Sequence, residues 1–359
     1  MRVLQGASVI GVTTSGLARN LDMFRRLDAK VLLCEEAAEI LENHILTALL
    51  PSIEHAILIR DHLQLRPRAL NYELSASNPR GQQYLIDVSL LERLVKPARA
   101  TDLKLPFDTL ETQRRMHPSI SSLVRETLYP TLQDAEKVRA YPEVVGMRKR
   151  LFWFNHDKPE AEAAHTKTSP INDFEIEMVC GLVSHLVRQR AYGPGDIAVL
   201  TPYHGQLQKI RAKLRNLFED IEDLHTEGLE PTPQVSEWSL GSCVRLSTVD
   251  NFQGEEAKVV VVSLVRSNRE GHCGFLGTIN RINVATVEMW SKVIENLKRQ
   301  GSFGRKLPLR CPRHEYTLIE VSEPGDFARL SPEGGCNLPC SRKLNCGHTC
   351  PGKCHATYR

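Results

Sequence analysis

The sequence lacks several features that would place it in a membrane or secretory class. It has no uninterrupted apolar stretch of about 18 residues, so no membrane-spanning helix is expected. Residues 1–11 lack the apolar core and small-residue cleavage site of a signal peptide. Neither sign of charge predominates, because 46 Lys and Arg nearly balance 43 Asp and Glu, which leaves a net charge of +3. Any basic surface for nucleic acid must therefore be local.

Cysteine is present but unevenly distributed. Four of the ten cysteines, Cys34, Cys180, Cys243 and Cys273, are scattered through the first 300 residues. Scattered cysteines in a long chain without a secretory signal are typical of reduced thiols, which favours a nuclear or cytoplasmic location or both. The others crowd toward the end of the chain, where their spacing predicts metal ligands.

The main part of the chain alternates between strand-like and helix-like patterns. Continuous apolar runs at 31–34, 56–59, 197–200 and 259–265 fit strands buried on both faces of a parallel sheet. Segments 173–190 and 206–218 have apolar residues at helical spacing. This alternation predicts an α/β protein of 359 residues, long enough for two or three domains. Boundaries are expected near 95–108 and 300–310, and 219–243 is interpreted as a polar surface loop.

The first strand-like run ends in an acidic pair, Glu35 and Glu36. Two carboxylates at a strand tip can hold Mg²⁺ and orient a water molecule. The alternative is an acidic start to a helix, which the helix dipole favours. Further polar blocks follow other apolar runs or lie between them. These blocks are 61–67, 113–118, 201–203, 248–256 and 280–285.

These blocks, taken in order, resemble the motifs of Upf-like and senataxin-like superfamily 1 RNA helicases. Residues 35–38 resemble motif II with Glu in place of Asp, 61–67 motif III, 113–118 motif IV and 248–256 motif V. The stretch 9–16 resembles motif Ic, which contacts nucleic acid. The resemblance covers about 7–306. It implies two RecA-like lobes of the P-loop NTPase type, an incomplete first lobe at 1–105 and a second at 106–306.

The resemblance also implies a role for each matching residue. Glu35 would coordinate Mg²⁺, Glu36 would act on the attacking water, Gln64 would sense the γ-phosphate of ATP, and Arg115 would act as an arginine finger from the other lobe. The expected nucleotide-binding residues are Glu256, Gln253 and Arg281. The expected single-strand channel is lined by Thr14, Ser15, Pro202, Tyr203 and Thr248. Core packing is the alternative for Tyr203, and a structural role is preferred for Met116 and His117.

Three departures from the family pattern bear on catalysis. No phosphate-binding loop of the form G-x-x-x-x-G-K-[ST] occurs, since the partial match at 347–353 lacks the Ser or Thr and follows no strand. After 283–285 the sequence departs from motif VI, and Arg60 stands where the family has Gly. The chain is therefore expected to be a truncated version of a larger protein. By itself it is expected not to hydrolyse ATP.

The last segment, 307–359, is rich in Cys, Pro and Gly and is expected to build little apolar core. Its spacing suits tetrahedral Zn²⁺, with a disulfide knot as the alternative. Cys346, His348 and Cys350 resemble the core of NFX-type zinc fingers, found in helicases linked to RNA silencing and surveillance. Cys311 and His314 form only an isolated C-x-x-H pair. The predicted ligands are Cys336, Cys340, Cys346, His348, Cys350, Cys354 and His355.

The predicted function is that of an ATP-dependent RNA helicase fragment whose partners are single-stranded RNA and proteins of RNA silencing or surveillance. The sequence itself does not separate RNA from DNA. One alternative is a non-catalytic module that binds RNA or protein through the second lobe and the zinc tail. A second is a nuclease of the related recombination family, which the C-x-H-x-C spacing disfavours.

Overall fold

The computed structural model describes residues 2–61, 63–64, 66–67, 71–76, 78–96, 105–161, 169–226, 240–268, 287–344 and 346–356. They form two compact units, Met1–Leu110 and, as the second, Glu111–Thr278 with Ala285–Arg359. Arg281, Cys273 and the block 280–285 lie outside the described residues, as does the central part of the 219–243 segment. The expectation of a loop is wrong for the first part of that segment, because the preceding helix continues to Thr226. Within the described segments, no helix combines the length and apolar character needed to span a bilayer.

The first unit is built around two parallel strands. Its elements are α1 (Arg2–Gln5), α2 (Thr14–Arg19), α3 (Leu21–Phe24), β1 (Val31–Glu35), α4 (Glu42–Ala48), β2 (His55–Ile59) and α5 (Leu90–Val95). The register of β1 on β2 runs from Val31 opposite His55 to Glu35 opposite Ile59. The strands predicted at 31–34 and 56–59 are thus present.

Only one face of this two-stranded sheet is covered within the described residues. Leu32 and Cys34 pack inward, against clusters that include Leu17 and Ile45. Val31 and Leu33 point the other way and are exposed. The expectation of burial on both faces is therefore wrong for 31–34. It is also wrong for 56–59, where Ile57 and Ile59 are exposed, and for 259–262, where Val260 and Val262 are exposed. A continuous apolar run does not by itself distinguish one-sided from two-sided burial.

The second unit has a three-stranded parallel sheet in the order β7-β6-β8. Every residue of the central strand β6 is buried, as the apolar run at 197–200 predicted. The elements up to the sheet's last strand are β3 (Thr112–Gln113), α6 (Pro118–Thr127), β4 (Gln133–Asp134), α7 (Glu136–Arg139), β5 (Trp153–Phe154), α8 (Asp173–Arg188), β6 (Ile197–Thr201), α9 (His204–Thr226), β7 (Val244–Thr248) and β8 (Val259–Val262).

The strand β8 ends earlier than the apolar run predicted. Val265 is fully buried but has a positive φ of 70°, outside the strand region of backbone conformation. The Glu175 carboxylate holds it there by accepting the Val265 backbone N–H at 3.0 Å and the Ser263 hydroxyl at 2.6 Å. A side chain from α8 therefore fixes the backbone after β8.

The remaining elements follow the sheet and include the Cys-rich segment. They are α10 (Val287–Arg299), β9 (Phe303–Gly304), β10 (Leu307–Arg310), β11 (Leu318–Val321), α11 (Gly325–Leu330), β12 (Gly334–Pro339) and β13 (Lys353–His355). β10 pairs with β11 and β12 with β13, both antiparallel.

The Cys-rich segment does contribute to an apolar core, contrary to the expectation from its composition. Leu309, Val321 and Phe327 belong to the same buried cluster as Ile197 of β6 and Ile210 of α9. Its few apolar side chains suffice because they extend an existing core. The segment 307–359 therefore packs as part of the second unit.

Helix α8 provides the surface on which this segment docks. Phe327 packs so tightly on α8 that a Cβ at Gly181 would lie 2.4 Å from the Phe327 ring. His185 Nδ1 lies 2.9 Å from Ser331 Oγ, and Gln189 Nε2 donates to Gly334 O at 2.7 Å. Apolar and polar contacts thus both fix the segment to the helix.

Candidate nucleotide-binding and metal-binding sites

The acidic pair lies at the carboxyl end of β1, where its two members have different surroundings. Glu35 is exposed, whereas Glu36 has a φ of 58° and turns its carboxylate into an ion pair with Arg60. Arg60 also contacts Glu39 at 3.1 Å, and its side chain is only 4% exposed. Because Glu35 pairs with Ile59 in the strand register, the residues that follow each strand, Glu36 and Arg60, meet.

This arrangement fits only half of the chemistry that the resemblance implies. The exposed Glu35 carboxylate is a suitable oxygen ligand for a hard cation such as Mg²⁺. The Glu36 carboxylate, expected to orient the attacking water, is occupied by the Arg60 guanidinium. The partner is the residue that replaces the family's glycine, so the departure in sequence has a direct structural consequence. We therefore derive no hydrolytic step from this strand end.

The next block places Gln64 by a local turn. The Asp61 carboxylate accepts the backbone N–H of Leu63 at 2.9 Å and the side-chain amide of Gln64 at 3.2 Å. Asp61 thus orients the candidate γ-phosphate sensor. Gln64 is half-buried and follows β2, as Glu36 follows β1.

In the second unit, Gln113 shapes the turn that presents Arg115. Its amide oxygen accepts the backbone N–H of Arg115 at 3.0 Å and of Met116 at 2.8 Å, while its nitrogen donates to Asp134 at 2.7 Å. Burial of the Asp134 carboxyl acts to raise its pKa, but hydrogen bonds from Ser121, Gln113 and Arg125 outweigh this and lower the pKa. Asp134 is therefore a charged anchor for this turn.

The Arg115 side chain contacts Glu256. Arg115 Nε lies 3.2 Å from Glu256 Oε2, and both side chains are largely exposed. Gln253 lies in the same block as Glu256. Its amide nitrogen and oxygen are buried, and neither has a hydrogen-bond partner among the described residues. The structure thus brings together Arg115 and Glu256, which are 141 residues apart in sequence.

The expected single-strand channel residues lie at strand ends and at one helix start. Thr248 ends β7 and pairs in register with Thr201, the residue before Pro202. Tyr203 and Thr248 are buried, and Pro202 is half-buried. The burial of Tyr203 favours the packing alternative for that side chain. In the first unit, Thr14 is half-buried and Ser15 exposed at the start of α2.

The cysteines and histidines of the last segment form two clusters. The first Cys/His cluster is Cys311, His314, Cys336 and Cys354, and the second is Cys340, Cys350 and His355. Within each cluster the potential ligand atoms all lie within 4.8 Å of one another.

The clusters contain five of the seven expected ligands. The other two, Cys346 and His348, are exposed and belong to neither cluster. The first cluster instead uses Cys311 and His314, whose C-x-x-H spacing gave only a weak signal. His314 and its partner Cys336 are 22 residues apart in sequence, so local spacing could not reveal the pairing.

The thiols of the first cluster are buried and unoxidised. Cys311 Sγ and Cys354 Sγ lie 3.5 Å apart, well beyond the S–S bond length of about 2.05 Å. Burial, and then the contact with Cys311, raise the pKa of Cys354. Burial also opposes ionisation of Cys311, but hydrogen bonds from the backbone of Arg313, Cys336 and His314 outweigh it and lower the pKa.

Comparison with known proteins gives a consistent picture. Residues 86–287, more than half of the chain, match the family model for an AAA domain. The chain is 36% identical over 98% of its length to NFX1-type zinc finger-containing protein 1 homolog of Caenorhabditis elegans, and covers 14% of that protein. It is 35% identical over 99% of its length to NFX1-type zinc finger-containing protein 1 of Homo sapiens, covering 18%.

A yeast helicase extends the comparison. The chain is 35% identical over 79% of its length to Helicase required for RNAi-mediated heterochromatin assembly 1 of Schizosaccharomyces pombe, and covers 25% of it. The chain thus spans a quarter or less of the length of these three curated relatives.

Proposed function

Because the chain belongs to the Upf-like superfamily 1 helicases, whose AAA domain it carries, we propose that it is part of an ATP-dependent RNA-binding motor. Its two compact units correspond in this proposal to two RecA-like lobes, the first incomplete. The proposed reaction of the whole motor is ATP hydrolysis coupled to movement along, or unwinding of, RNA.

The observation that carries the proposal is the contact between Arg115 and Glu256, a residue of the same sequence block as Gln253, whose buried amide has no hydrogen-bond partner among the described residues. A buried polar group without a partner destabilises a fold by about 1–3 kcal/mol, and a bound ligand or an ordered water can supply the missing partner. A nucleotide offers the donors and acceptors that Gln253 lacks and the phosphate charge that Arg115 would contact. We assign Arg281, outside the described residues, to the same site by the family motif.

The proposed RNA contacts follow the same reasoning. Thr14 and Ser15 in the first unit, and Pro202 and Thr248 in the second, would contact the backbone of a single strand. Tyr203 would support this surface from within the core. The yeast relative's name refers to RNAi-mediated heterochromatin assembly, and a further relative from Neurospora crassa is a regulator of nonsense transcripts homolog. We therefore propose partners in RNA silencing or surveillance and a nuclear or cytoplasmic location.

We further propose that this chain by itself binds RNA without turning over ATP. Its sequence has no G-x-x-x-x-G-K-[ST] loop, whose amides and lysine hold the phosphates of ATP. The Glu36 carboxylate is paired with Arg60. The same two observations favour a second candidate, a non-catalytic module that acts only by binding.

ATP turnover is tested by RNA-stimulated phosphate release from the full chain. We expect no release above that of a Glu36→Gln variant. Release that depends on RNA and disappears in Glu36→Gln, but persists in the matched surface variant Glu54→Gln, would show the chain to be a competent ATPase.

The nucleotide site is tested separately by binding of a fluorescent ATP analogue. Arg115→Ala and Gln253→Ala should each weaken binding about 5-fold or more, since charged and buried polar contacts contribute roughly 1–3 kcal/mol. Arg139→Ala, which removes a largely exposed arginine of the same unit, is the control. No nucleotide binding by the wild type would favour the non-catalytic module.

Zinc is the cofactor proposed for the last segment. Thiolate sulfur and imidazole nitrogen are the ligands that Zn²⁺ prefers, and both Cys/His clusters consist of these groups alone. The ion would hold the fold together and take no part in ATP chemistry.

A further inference from the structure

We propose that Cys311, His314, Cys336 and Cys354 together bind one Zn²⁺ ion that cross-links the two antiparallel strand pairs of the Cys-rich segment, which packs against helix α8. This site is not the C-x-H-x-C core that the sequence suggests, because neither Cys346 nor His348 belongs to it. The inference rests on the proposed binding of zinc by the segment and assigns its ligands and its role.

The spacing of the four ligand atoms suits a tetrahedral ion. With Zn–S near 2.3 Å and Zn–N near 2.0–2.1 Å, ligand atoms at the corners of a tetrahedron lie about 3.6–3.8 Å apart. Cys311 Sγ lies 3.5 Å from Cys354 Sγ and 3.6 Å from His314 Nδ1, and Cys336 Sγ lies 3.3 Å from His314 Nδ1. Three of the six ligand-atom pairs thus lie within about 0.3 Å of that spacing, and all six lie within 4.8 Å.

The ligands come from two separate antiparallel pairs of strands. Cys311 and His314 lie in the turn between β10 and β11, while Cys336 lies on β12 and Cys354 on β13. Gly335 allows β12 and β13 to approach this closely, since a Cβ there would lie 2.2 Å from the Cys354 carbonyl oxygen. A bound ion would cross-link the two pairs.

Four protein ligands make the first cluster a closed site. Structural zinc sites in proteins have four protein ligands, whereas sites with an open position act in catalysis. All three cysteines of the cluster are buried. The second cluster has three ligands among the described residues, so it lacks this closure. The first cluster is therefore the one suited to a structural ion.

The position of the cluster explains what the ion would stabilise. Cys311, Cys336 and Cys354 belong to the same buried cluster as Val183 and Leu186 of α8. Gly334, two residues before Cys336, accepts a hydrogen bond from Gln189 near the end of α8. Loss of the ion would thus loosen the contact between this segment and α8, as well as the segment itself.

The site is tested by measuring zinc per chain on the full protein, purified with its thiols reduced. Cys311→Ser and His314→Ala should each bind one zinc ion fewer than the wild type. Cys34→Ser, a half-buried thiol of the first unit, should bind as many as the wild type. Unchanged zinc in the two ligand variants would overturn the assignment.

A conservative variant covers the case in which the ligand variants fail to fold. His314→Cys should retain the full zinc content, because thiolate replaces imidazole as the fourth ligand. With Co²⁺ in place of Zn²⁺, the visible bands of this variant should shift relative to the wild type, as expected for a fourth sulfur ligand. Identical spectra would show that residue 314 does not contact the metal. A wild type that binds no zinc at all would instead refute zinc binding by the segment as a whole.

Discussion

At the residue scale, Arg60 links a change in sequence to the state of the acidic strand end. Its nearly buried guanidinium contacts Glu36 and Glu39. Hydrogen bonds to charged groups contribute about 1.5–3 kcal/mol when partly buried, and both carboxylates retain some hydration here. We expect Arg60→Ala to lower the free energy of unfolding of the first unit by about 1–3 kcal/mol, measured by urea denaturation.

A matched arginine in the same unit provides the control for Arg60. Arg25 contacts Asp22 at 3.6 Å, but both side chains are mostly exposed. Exposed pairs contribute little, typically under about 1 kcal/mol. Arg25→Ala should therefore change the unfolding free energy much less than Arg60→Ala. Equal effects would mean that the Glu36–Arg60 pair does not hold the strand end.

His185 makes the stability of the second unit depend on pH. Burial lowers the pKa of His185 to about 4. The hydrogen bond to the Gly146 carbonyl acts to raise this pKa, and the nearby charge of Arg188 acts to lower it. In the unfolded chain the imidazole of His185 takes up a proton near pH 6.5. Between about pH 4 and pH 6.5 the unfolded state therefore binds more protons than the folded state. The stabilisation is therefore complete above pH 6.5 and is lost as pH falls toward 4, by up to about 1.4 kcal/mol per pH unit.

The measurement compares the wild type with His185→Gln in denaturant titrations from pH 7.5 to pH 4.5. The two proteins share the same metal ligands, so any loss of zinc in acid is common to both. The free energy of the wild type should fall more steeply than that of the variant below pH 6.5. Parallel curves would show that His185 is not kept neutral in the fold.

The candidate site illustrates which residues a sequence can identify. Glu35, Gln64, Arg115 and Glu256 are predicted from the order of their sequence blocks along the chain, and their roles stay predictions. The Glu36–Arg60 ion pair could not be predicted, because it depends on the register between β1 and β2. The grouping of Cys311 and His314 with Cys336 and Cys354 could not be predicted either, because those partners lie on another pair of strands.

At the element scale, the contact between α8 and α11 depends on one glycine. A Cβ at Gly181 would lie 2.4 Å from the Phe327 ring, so one of the two elements would have to move. Overpacking of this kind destabilises by about 1–3 kcal/mol, against a gain of about 1 kcal/mol in helix propensity from alanine. We expect Gly181→Ala to lower the free energy of unfolding of the second unit by up to about 2 kcal/mol in denaturant titrations.

Gly325 and Phe327 supply the controls for this contact. A Cβ at Gly325 meets no atom within 4 Å, so Gly325→Ala should be nearly neutral. Combining Gly181→Ala with Phe327→Leu should cost less than the sum of the single changes, because the smaller side chain relieves the clash. Strict additivity would mean that the two residues do not press on each other.

The elements themselves divide into those that local pattern specifies and those that it does not. The strands β1, β2 and β6 and the helix α8 follow from apolar runs and helical spacing, and the α/β class is confirmed. The end of β8 does not follow, because Glu175 imposes a positive φ on Val265 in an otherwise apolar run. The docking of the Cys-rich segment also escapes composition, since the segment uses the core of its neighbour.

At the scale of the whole molecule, the apolar clusters of the two units share no residue among those described. The large cluster lies within the second unit and the two smaller ones within the first. Local opening follows contiguous cooperative units, so each perturbation should act within the unit that contains it.

We expect zinc chelation to increase amide hydrogen exchange in α8 and β10 to β13. Arg60→Ala should increase it in β1, β2 and α4, and both together should give the sum of the two patterns. Mass spectrometry of peptides from the full chain checks this. The observation that would contradict it is increased exchange in β1 and β2 on chelation alone, since no described core residue connects those strands to the Cys/His clusters.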